Sequence, residues 1–184
     1  MPSPYLVPVA RLLRDAPSSL EVAFEAPFDA AHEFTPRGPA ETDVFPEAPV
    51  SVRVRLESYS GGVRARGLVG APWHGVCRRC SAPVLGNVLV RVNERFVADH
   101  DPPDDEAYQI DHDVVDLAPL ARDAILLELP LAPLCRSDCR GLCPYCGVDR
   151  NESTCECRAP RDPRWATLDG LRFSEPDGDG SYEG

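Results

Sequence analysis

The stretch at residues 134–157, LCRSDCRGLCPYCGVDRNESTCEC, decides the fold. It contains six of the eight cysteines in a chain of 184 residues, namely Cys135, Cys139, Cys143, Cys146, Cys155 and Cys157. The other two, Cys77 and Cys80, belong to a Cys-Arg-Arg-Cys motif far upstream. Two thiolates separated by two residues can both approach one ion to about 2.3 Å at a tetrahedral angle, which is the geometry that zinc prefers. Eight cysteines therefore predict two four-sulfur zinc sites.

The spacing also predicts how the cysteines divide between the sites. Cys143-Pro-Tyr-Cys146 has the form of a zinc knuckle, and Cys155-Glu-Cys157 can reach the same ion if the backbone turns between its thiols. One site then consists of Cys143, Cys146, Cys155 and Cys157, and the other of Cys77, Cys80, Cys135 and Cys139. The alternative division joins Cys77 and Cys80 to Cys143 and Cys146, and leaves Cys135, Cys139, Cys155 and Cys157 together.

Two other uses of the cysteines remain open. An even number of cysteines is typical of a disulfide framework, but Met1-Pro-Ser-Pro-Tyr5 has neither the basic start nor the apolar run of a secretory signal. We therefore expect a cytoplasmic protein, where paired Cys-x-x-Cys turns are more often metal sites than disulfides.

Cys77 and Cys80 can also be a redox pair, because neighbouring arginines lower a thiol pKa. No helical pattern follows this motif, so the βαβ context of thioredoxin is missing.

Charge is distributed unevenly along the chain. The net charge is −11, yet residues 98–116 carry eight acids without a base, and residues 174–184 carry four more. Outside these two segments 18 of the 30 acids remain beside 19 basic residues, all of them arginine. The body of the protein can therefore hold a basic patch, and the planar guanidinium suits phosphate. No apolar run reaches the roughly 20 residues that a membrane span requires.

The clearest strand signal is SVRVRLES at residues 51–58, where apolar and charged residues alternate. A turn at Tyr59-Ser60 predicts that a second strand returns with Leu56 opposite Val63. The same register places Arg55 opposite Arg64 and Arg53 opposite Arg66 on the outward face. Because like charges opposite each other are destabilising, either carboxylates such as Glu57 and Glu94 relieve them or an anion binds there. The predicted RNA-binding patch is Arg53, Arg55, Arg64 and Arg66, which Arg91 and Arg95 can widen.

A third strand and a helix follow from the remaining sequence patterns. Residues 84–97 alternate as a strand, so the Cys-Arg-Arg-Cys motif lies at a hairpin. Asp116 is suited to cap a helix that Pro130 ends. We predict an α+β fold: a mostly antiparallel, partly barrelled β-sheet with one buried helix and a C-terminal cysteine-rich zinc-binding lobe. The predicted regions are a β-rich domain at 1–133 with an acidic loop at 98–116, the zinc-binding lobe at 134–172, and a disordered acidic tail at 173–184.

Residues 129–147, LPLAPLCRSDCRGLCPYCG, resemble the C-terminal signature of the YceD family, whose members are called large ribosomal RNA subunit accumulation proteins. The upstream Cys-Arg-Arg-Cys turn, the acidic loop, the helix after it and Asp162-Pro-Arg-Trp-Ala166 also match. The resemblance implies a bacterial or plastid protein needed for accumulation of 23S rRNA, and so of the large ribosomal subunit. Some family members keep the first Cys-x-x-Cys turn and lack most of the second cluster, which favours two separate zinc sites.

The sequence offers little that is typical of an enzyme. Its four histidines are scattered, and His74, near Cys77, is either an additional ligand or a strand-end residue. A zinc ion with four cysteine ligands has no open position for water or substrate. We therefore expect a non-enzymatic factor that binds rRNA or a large-subunit ribosomal protein. The alternative is a thiol redox or metal-carrier protein that uses Cys77 and Cys80.

Overall fold

The computed structural model describes residues 3–28, 42–97 and 107–158, together with Arg164, Trp165 and Leu168. The chain divides into two compact units, Met1–Gly141 and Leu142–Gly184. Cys135 and Cys139 therefore belong to the first unit, although the predicted border of the zinc-binding lobe follows residue 133. The predicted acidic tail at 173–184 lies outside the described residues.

The first unit contains a curled sheet and two helices. Its elements are β1 (Leu6–Pro8), α1 (Ala10–Arg14), β2 (Ser19–Pro27), β3 (Thr42–Asp43), β4 (Pro49–Tyr59), β5 (Gly62–Val76), β6 (Pro83–Val97), β7 (Tyr108–Asp111), β8 (Val114–Asp116) and α2 (Leu117–Glu128). The strand order is β1-β8-β7-β6-β5-β4-β2, and β3 pairs with β5. Only β6 and β7 are parallel among these pairs, so the sheet is mostly antiparallel, as predicted.

The two ends of the sheet approach each other through an aromatic contact. Tyr5, just before β1, packs edge-on against Phe24 of β2 with ring centroids 5.2 Å apart. The Tyr5 hydroxyl also donates a hydrogen bond to the carbonyl of Pro27, at 3.2 Å. Close approach of β4 and β5 adds to the curl, because a Cβ on Gly67 would lie 2.1 Å from the Arg53 carbonyl oxygen. The result is a half-barrel with a concave apolar face.

The helix α2 covers this concave face. Asp116 caps it, since its carboxylate accepts a hydrogen bond from the Ala118 backbone N–H at 2.9 Å. Its buried side chains join the core valines of β4. The helix was predicted from its cap and from Pro130, and both predictions are confirmed. The short helix α1 is a second helix in a unit for which one buried helix was predicted.

The predicted register of the β4–β5 hairpin is wrong by two residues. The loop is Ser60-Gly61 rather than Tyr59-Ser60, because Gly61 has a φ of +114° and glycine adopts that region without steric cost. Leu56 therefore lies opposite Ala65 rather than Val63. A shift of two residues leaves every side chain on its predicted face, but it changes each cross-strand neighbour.

The segment predicted as an acidic loop is partly regular structure. Residues 98–106 lie outside the described part of the chain, whereas β7 and β8 form a hairpin within 108–116. Its turn places His112 and Asp113 at φ values of 48° and 59°. No helix in the described residues combines the length and apolar character that a membrane crossing requires.

The burial pattern predicts different effects for two chemically identical substitutions. Leu56 is 0% exposed in the core, whereas Leu127 of α2 is 87% exposed. Leu56→Ala should lower the free energy of unfolding by about 2–5 kcal/mol, since it leaves a cavity. Leu127→Ala should change it by less than about 0.5 kcal/mol. Urea denaturation of the two variants measures both values, and equal losses would contradict the described core.

Candidate metal centres and an arginine-rich sheet face

The first cysteine cluster begins at the turn between β5 and β6. Cys77 follows β5 and Cys80 closes the turn, which is held by hydrogen bonds from the Ser81 N–H to the Cys77 carbonyl (2.8 Å) and from the Cys77 N–H to the Ala82 carbonyl (2.7 Å). Both cysteines are buried. The long β5–β6 hairpin thus presents two thiols at one end, as the sequence predicts.

Residues 133–141 bring the other two thiols to this turn. The Arg78 N–H donates to the Pro133 carbonyl at 2.9 Å, and the Arg79 guanidinium donates to the Cys139 carbonyl at 2.8 Å. Gly141 has a φ of +70°, and a Cβ there would lie 2.7 Å from the Arg79 carbonyl oxygen. Glycine is therefore required where this segment passes closest to the turn.

The four sulfur atoms have the separations of a tetrahedral metal site. Sγ of Cys77 lies 3.8 Å from Sγ of Cys139, and Sγ of Cys80 lies 3.6 Å from Sγ of Cys135. All four lie within 4.8 Å of one another. Metal–sulfur bonds of about 2.3 Å place tetrahedral ligands about 3.8 Å apart, whereas disulfide sulfurs lie about 2.05 Å apart. The cluster therefore fits a metal ion, and all eight cysteines of the chain are free thiols.

The thiols of this cluster differ in acidity. The Cys135 backbone N–H, followed by the N–H groups of Arg79 and Cys80, lowers the pKa of Cys77 to about 6 despite desolvation. Desolvation raises the pKa of Cys135 to about 12, and hydrogen bonding with the neighbouring thiols adds to the effect. The backbone thus stabilises the thiolate form of Cys77, while ionising Cys135 beside it costs free energy. A cation at the centre removes that cost because it attracts all four sulfurs.

The second cluster lies in the Leu142–Gly184 unit and comprises Cys143, Cys146, Cys155 and Cys157, with all sulfurs within 4.8 Å. The Cys143 N–H donates to the Val148 carbonyl at 2.8 Å, and the Gly147 N–H donates to the Cys143 carbonyl at 2.9 Å. Gly147, at a φ of +72°, closes this knuckle. The backbone N–H groups of Cys146 and Tyr145 lower the pKa of the Cys143 thiol to about 6.

Asp149 shapes the loop that returns the chain to the second cluster. Its carboxylate accepts hydrogen bonds from the backbone and side-chain N–H groups of Asn151, at 2.8 and 2.6 Å. Its carbonyl accepts one from the Ser153 N–H at 3.0 Å. These bonds bend residues 149–153 and bring Cys155 and Cys157 back to the knuckle. The cysteines therefore divide in the predicted way, the alternative division does not occur, and His74 belongs to neither cluster.

The outward face of the sheet collects arginines from three neighbouring strands. The register aligns one row as Glu21, Arg55, Arg66 and Asn93, a second as Ser19, Glu57, Arg64 and Arg95, and a third as Ala23, Arg53, Leu68 and Arg91. The four predicted arginines thus share one face with Arg91 and Arg95. Arg55 lies opposite Arg66, whereas the predicted Arg55–Arg64 and Arg53–Arg66 pairs do not form.

Carboxylates neutralise part of this face. Arg55 forms an ion pair with Glu21, and Arg66 lies 3.8 Å from a carboxylate oxygen of Glu57. Glu57 was predicted in this role, but Glu21 was not. Glu94, which was also predicted, lies opposite Ala65 on the other face. Sequence reasoning missed Glu21 because only the pairing of β2 with β4 places it beside Arg55.

Two arginines of the third row lack an ion-pair partner among the described residues. Arg53 and Arg91 are exposed and flank Leu68. Neither forms an ion pair with any residue that the structure describes. Arg91 also lines a shallow depression with Arg55, Arg66, Gly67, Leu68, Val92 and Asn93. The most available positive charge therefore lies on this row.

The family model described as Large ribosomal RNA subunit accumulation protein YceD matches residues 65–172. The chain belongs to the YceD family. The match includes β6, α2, both cysteine clusters and nearly all of β5, while β4 and its arginines precede it. The resemblance inferred from residues 129–147 is confirmed.

Relatives cover most of the chain. An uncharacterized protein of Mycobacterium tuberculosis is 36% identical over 180 residues, which is 95% of this chain and 84% of the relative. The protein YlbN of Bacillus subtilis is 27% identical over 78% of this chain and 86% of its own. The Arabidopsis thaliana protein named chloroplastic large ribosomal RNA subunit accumulation protein YCED homolog 1 is 34% identical over 32% of this chain and 18% of its own. No solved structure matches the chain.

The two clusters should support different parts of this YceD protein. Cys143→Ser removes a thiol of the second cluster, so we expect proteolytic cleavage around residues 142–158 while the sheet stays intact. Cys80→Ser removes a thiol that lies between the β5–β6 turn and residues 133–141, so it should instead open the Met1–Gly141 unit. Metal binding at either cluster would contribute folding free energy on the order of 10 kcal/mol. Limited proteolysis with mass spectrometry distinguishes the patterns. The exposed Thr154→Ser is the control, and identical cleavage in both cysteine variants would contradict separate roles.

Proposed function

We propose that this chain is a non-enzymatic, zinc-binding factor of the cytoplasm that acts in biogenesis of the large ribosomal subunit and contacts rRNA through its arginine-rich sheet face. Membership in a family named for large ribosomal RNA accumulation supports the process. The observation that carries the RNA contact is the alignment of six arginines on one exposed face of a chain whose net charge is −11.

Zinc is the metal that the donor set favours. Both clusters offer four thiolates and no histidine or carboxylate, and tetrahedral four-sulfur sites are typical of structural zinc. Four protein ligands leave no position for water or substrate, so each metal would serve the fold. This supports a binding protein rather than an enzyme. A dithiol redox or carrier site would use Cys77 and Cys80 alone, whereas each lies beside two further thiols.

We expect two zinc ions per chain in protein purified without added metal. Elemental analysis by mass spectrometry measures the ratio, and Cys80→Ser and Cys143→Ser should each lower it by about one. Thiol titration without denaturant provides the control, because metal-bound thiolates should react slowly until a chelator is added. Iron, less than one zinc per chain, or ready disulfide formation between Cys77 and Cys80 would contradict the proposal.

The arginine face suits an RNA backbone for electrostatic reasons. A guanidinium binds two phosphate oxygens in a planar fork, and each neutralised phosphate releases condensed counterions. The Arg53–Leu68–Arg91 row retains the most positive charge because Glu21 and Glu57 engage Arg55 and Arg66. The acids at 98–116 would repel nucleic acid elsewhere and favour a preformed ribosomal surface.

An Arg53→Ser/Arg91→Ser variant should lower association with large-subunit precursor particles. It removes two cations that form no ion pair within the described part of the chain and leaves Glu21 and Glu57 with their partners, unlike a variant lacking Arg53, Arg55, Arg64 and Arg66. Across a salt series, the slope of log affinity against log salt should fall by roughly 0.7 to 0.9 for each phosphate that the variant no longer neutralises. Thermal unfolding should stay unchanged, because both side chains are exposed.

The matched control is Arg11→Ser/Arg14→Ser, which removes the same charge from α1, and it should bind as the parent protein does. Equal weakening of both double variants would reveal a general charge effect. Unchanged affinity and slope in the Arg53/Arg91 variant would mean that contact with the ribosomal precursor does not use this face.

A further inference from the structure

The arginine-bearing face continues past its charged rows to an aromatic pocket near the end of the β5–β6 hairpin. Along β5 and β6 the outward positions after Leu68 and Arg91 pair Gly70 with Leu89, Pro72 with Asn87, and His74 with Leu85. His74 lies six residues beyond Leu68, which is about 20 Å along a strand. The face therefore changes from cationic to aromatic and apolar within the reach of one extended ligand.

Phe45 provides an open aromatic surface at this end. Its ring stacks on His74 with centroids 3.9 Å apart and an interplanar angle of 23°, yet Phe45 remains 55% exposed. Because the imidazole covers one face of the ring, a ligand would stack on the opposite face. Core packing does not explain such a residue, because its neighbour Val44 is the one buried, at 1% exposure.

The backbone fixes the position of this ring. β3 pairs with β5 so that Asp43 lies opposite His74, and the Asp43 carboxylate accepts a hydrogen bond from the Val44 N–H at 2.8 Å. The Ala48 N–H then donates to the Phe45 carbonyl at 2.8 Å, which closes a turn. Phe45 is thus held before any ligand arrives, so stacking on it has a low cost in conformational entropy.

A pocket adjoins the ring. It has a volume of about 370 Å³ and is lined by Phe45, Pro72, Trp73, Leu85, Gly86 and Asn87. A Cβ on Gly86 would lie 2.6 Å from the Trp73 indole, so glycine allows the indole to lie against this strand. Asn87 is exposed and its amide forms no hydrogen bond with the described residues. The pocket thus combines the exposed Phe45 ring and the exposed Asn87 amide with the partly buried Trp73. Aromatic rings and amides are groups with which proteins stack and hydrogen-bond an unpaired nucleobase.

We infer that this pocket binds an unstacked base of a single-stranded RNA segment whose phosphates lie on the Arg53–Leu68–Arg91 row. The inference rests on the proposed contact with rRNA and adds the kind of RNA and a second point of attachment. Arg53 and Arg91 on this face form no ion pair with the described residues, and they favour RNA over an apolar protein segment, which would leave these two charges unmatched. Duplex RNA fits poorly, because its bases are stacked and inaccessible to the pocket.

The test uses the full zinc-loaded chain and a fluorescent RNA of about 12 nucleotides without secondary structure, alongside the same RNA in a duplex. We expect the single strand to bind more tightly. Phe45→Ala should weaken its binding about 5- to 100-fold, the usual loss for a base–aromatic stack. The salt slope should not change, since the number of neutralised phosphates stays the same. Phe45→Tyr should retain binding because the ring remains, and Leu127→Ala is the control for an exposed apolar side chain.

The outcomes separate this inference from the proposed function. If Arg53→Ser/Arg91→Ser weakens RNA binding but Phe45→Ala does not, or if duplex RNA binds equally well, the base pocket is wrong while the arginine contact stands. If neither variant alters binding, or the parent chain binds no RNA, both are wrong. If Phe45→Ala instead abolishes binding to a ribosomal protein and leaves RNA binding intact, the pocket accepts protein and the inference is overturned.

Discussion

The four-thiol cluster of Cys77, Cys80, Cys135 and Cys139 is the constraint on which the first unit depends. It fixes the end of the β5–β6 hairpin to the segment that follows α2, and so joins parts of the chain more than 50 residues apart. Four thiolates about 3.8 Å apart would repel each other, so a bound cation would stabilise this cluster. Hydrogen bonds from Arg78 and Arg79 to the carbonyls of residues 133 and 139 hold this segment against the turn. They place the four sulfur atoms close together.

The second constraint is the curl of the sheet. A sheet in which α2 covers the concave face must place its charged side chains on the convex face, since burying a guanidinium without a partner is costly. The alternation in β4, β5 and β6 then gathers six arginines on one surface. The same curl brings Tyr5 against Phe24 of β2. The buried core and the outward arginine surface are therefore two consequences of one period-two pattern.

Acidic and basic residues are concentrated in different parts of this protein. The chain is acidic overall, but eight of its acids lie within residues 98–116 and four within residues 174–184. On the sheet face Glu21 and Glu57 form ion pairs with Arg55 and Arg66, whereas Arg53 and Arg91 form none with the described residues. A uniformly basic surface would bind any polyanion, whereas the proposed contact through the Arg53–Leu68–Arg91 row and the aromatic pocket would limit both the kind and the position of a ligand. This separation is compatible with a family connected to accumulation of large ribosomal RNA.

The sequence by itself determined the family, the strands β4, β5 and β6 with their buried faces, and the helix between Asp116 and Pro130, and it favoured one of two divisions of the cysteines. These features depend on local spacing, periodicity and caps, which the order of residues contains directly. The register of the β4–β5 hairpin was not determined, because a shift of two residues preserves the alternation and only the backbone at Gly61 decides between the alternatives. Glu21 beside Arg55 and Phe45 on His74 depend on pairing between strands that are distant in sequence. Only the tertiary structure decided them, since cross-strand contacts follow from sheet order and register rather than from any local pattern.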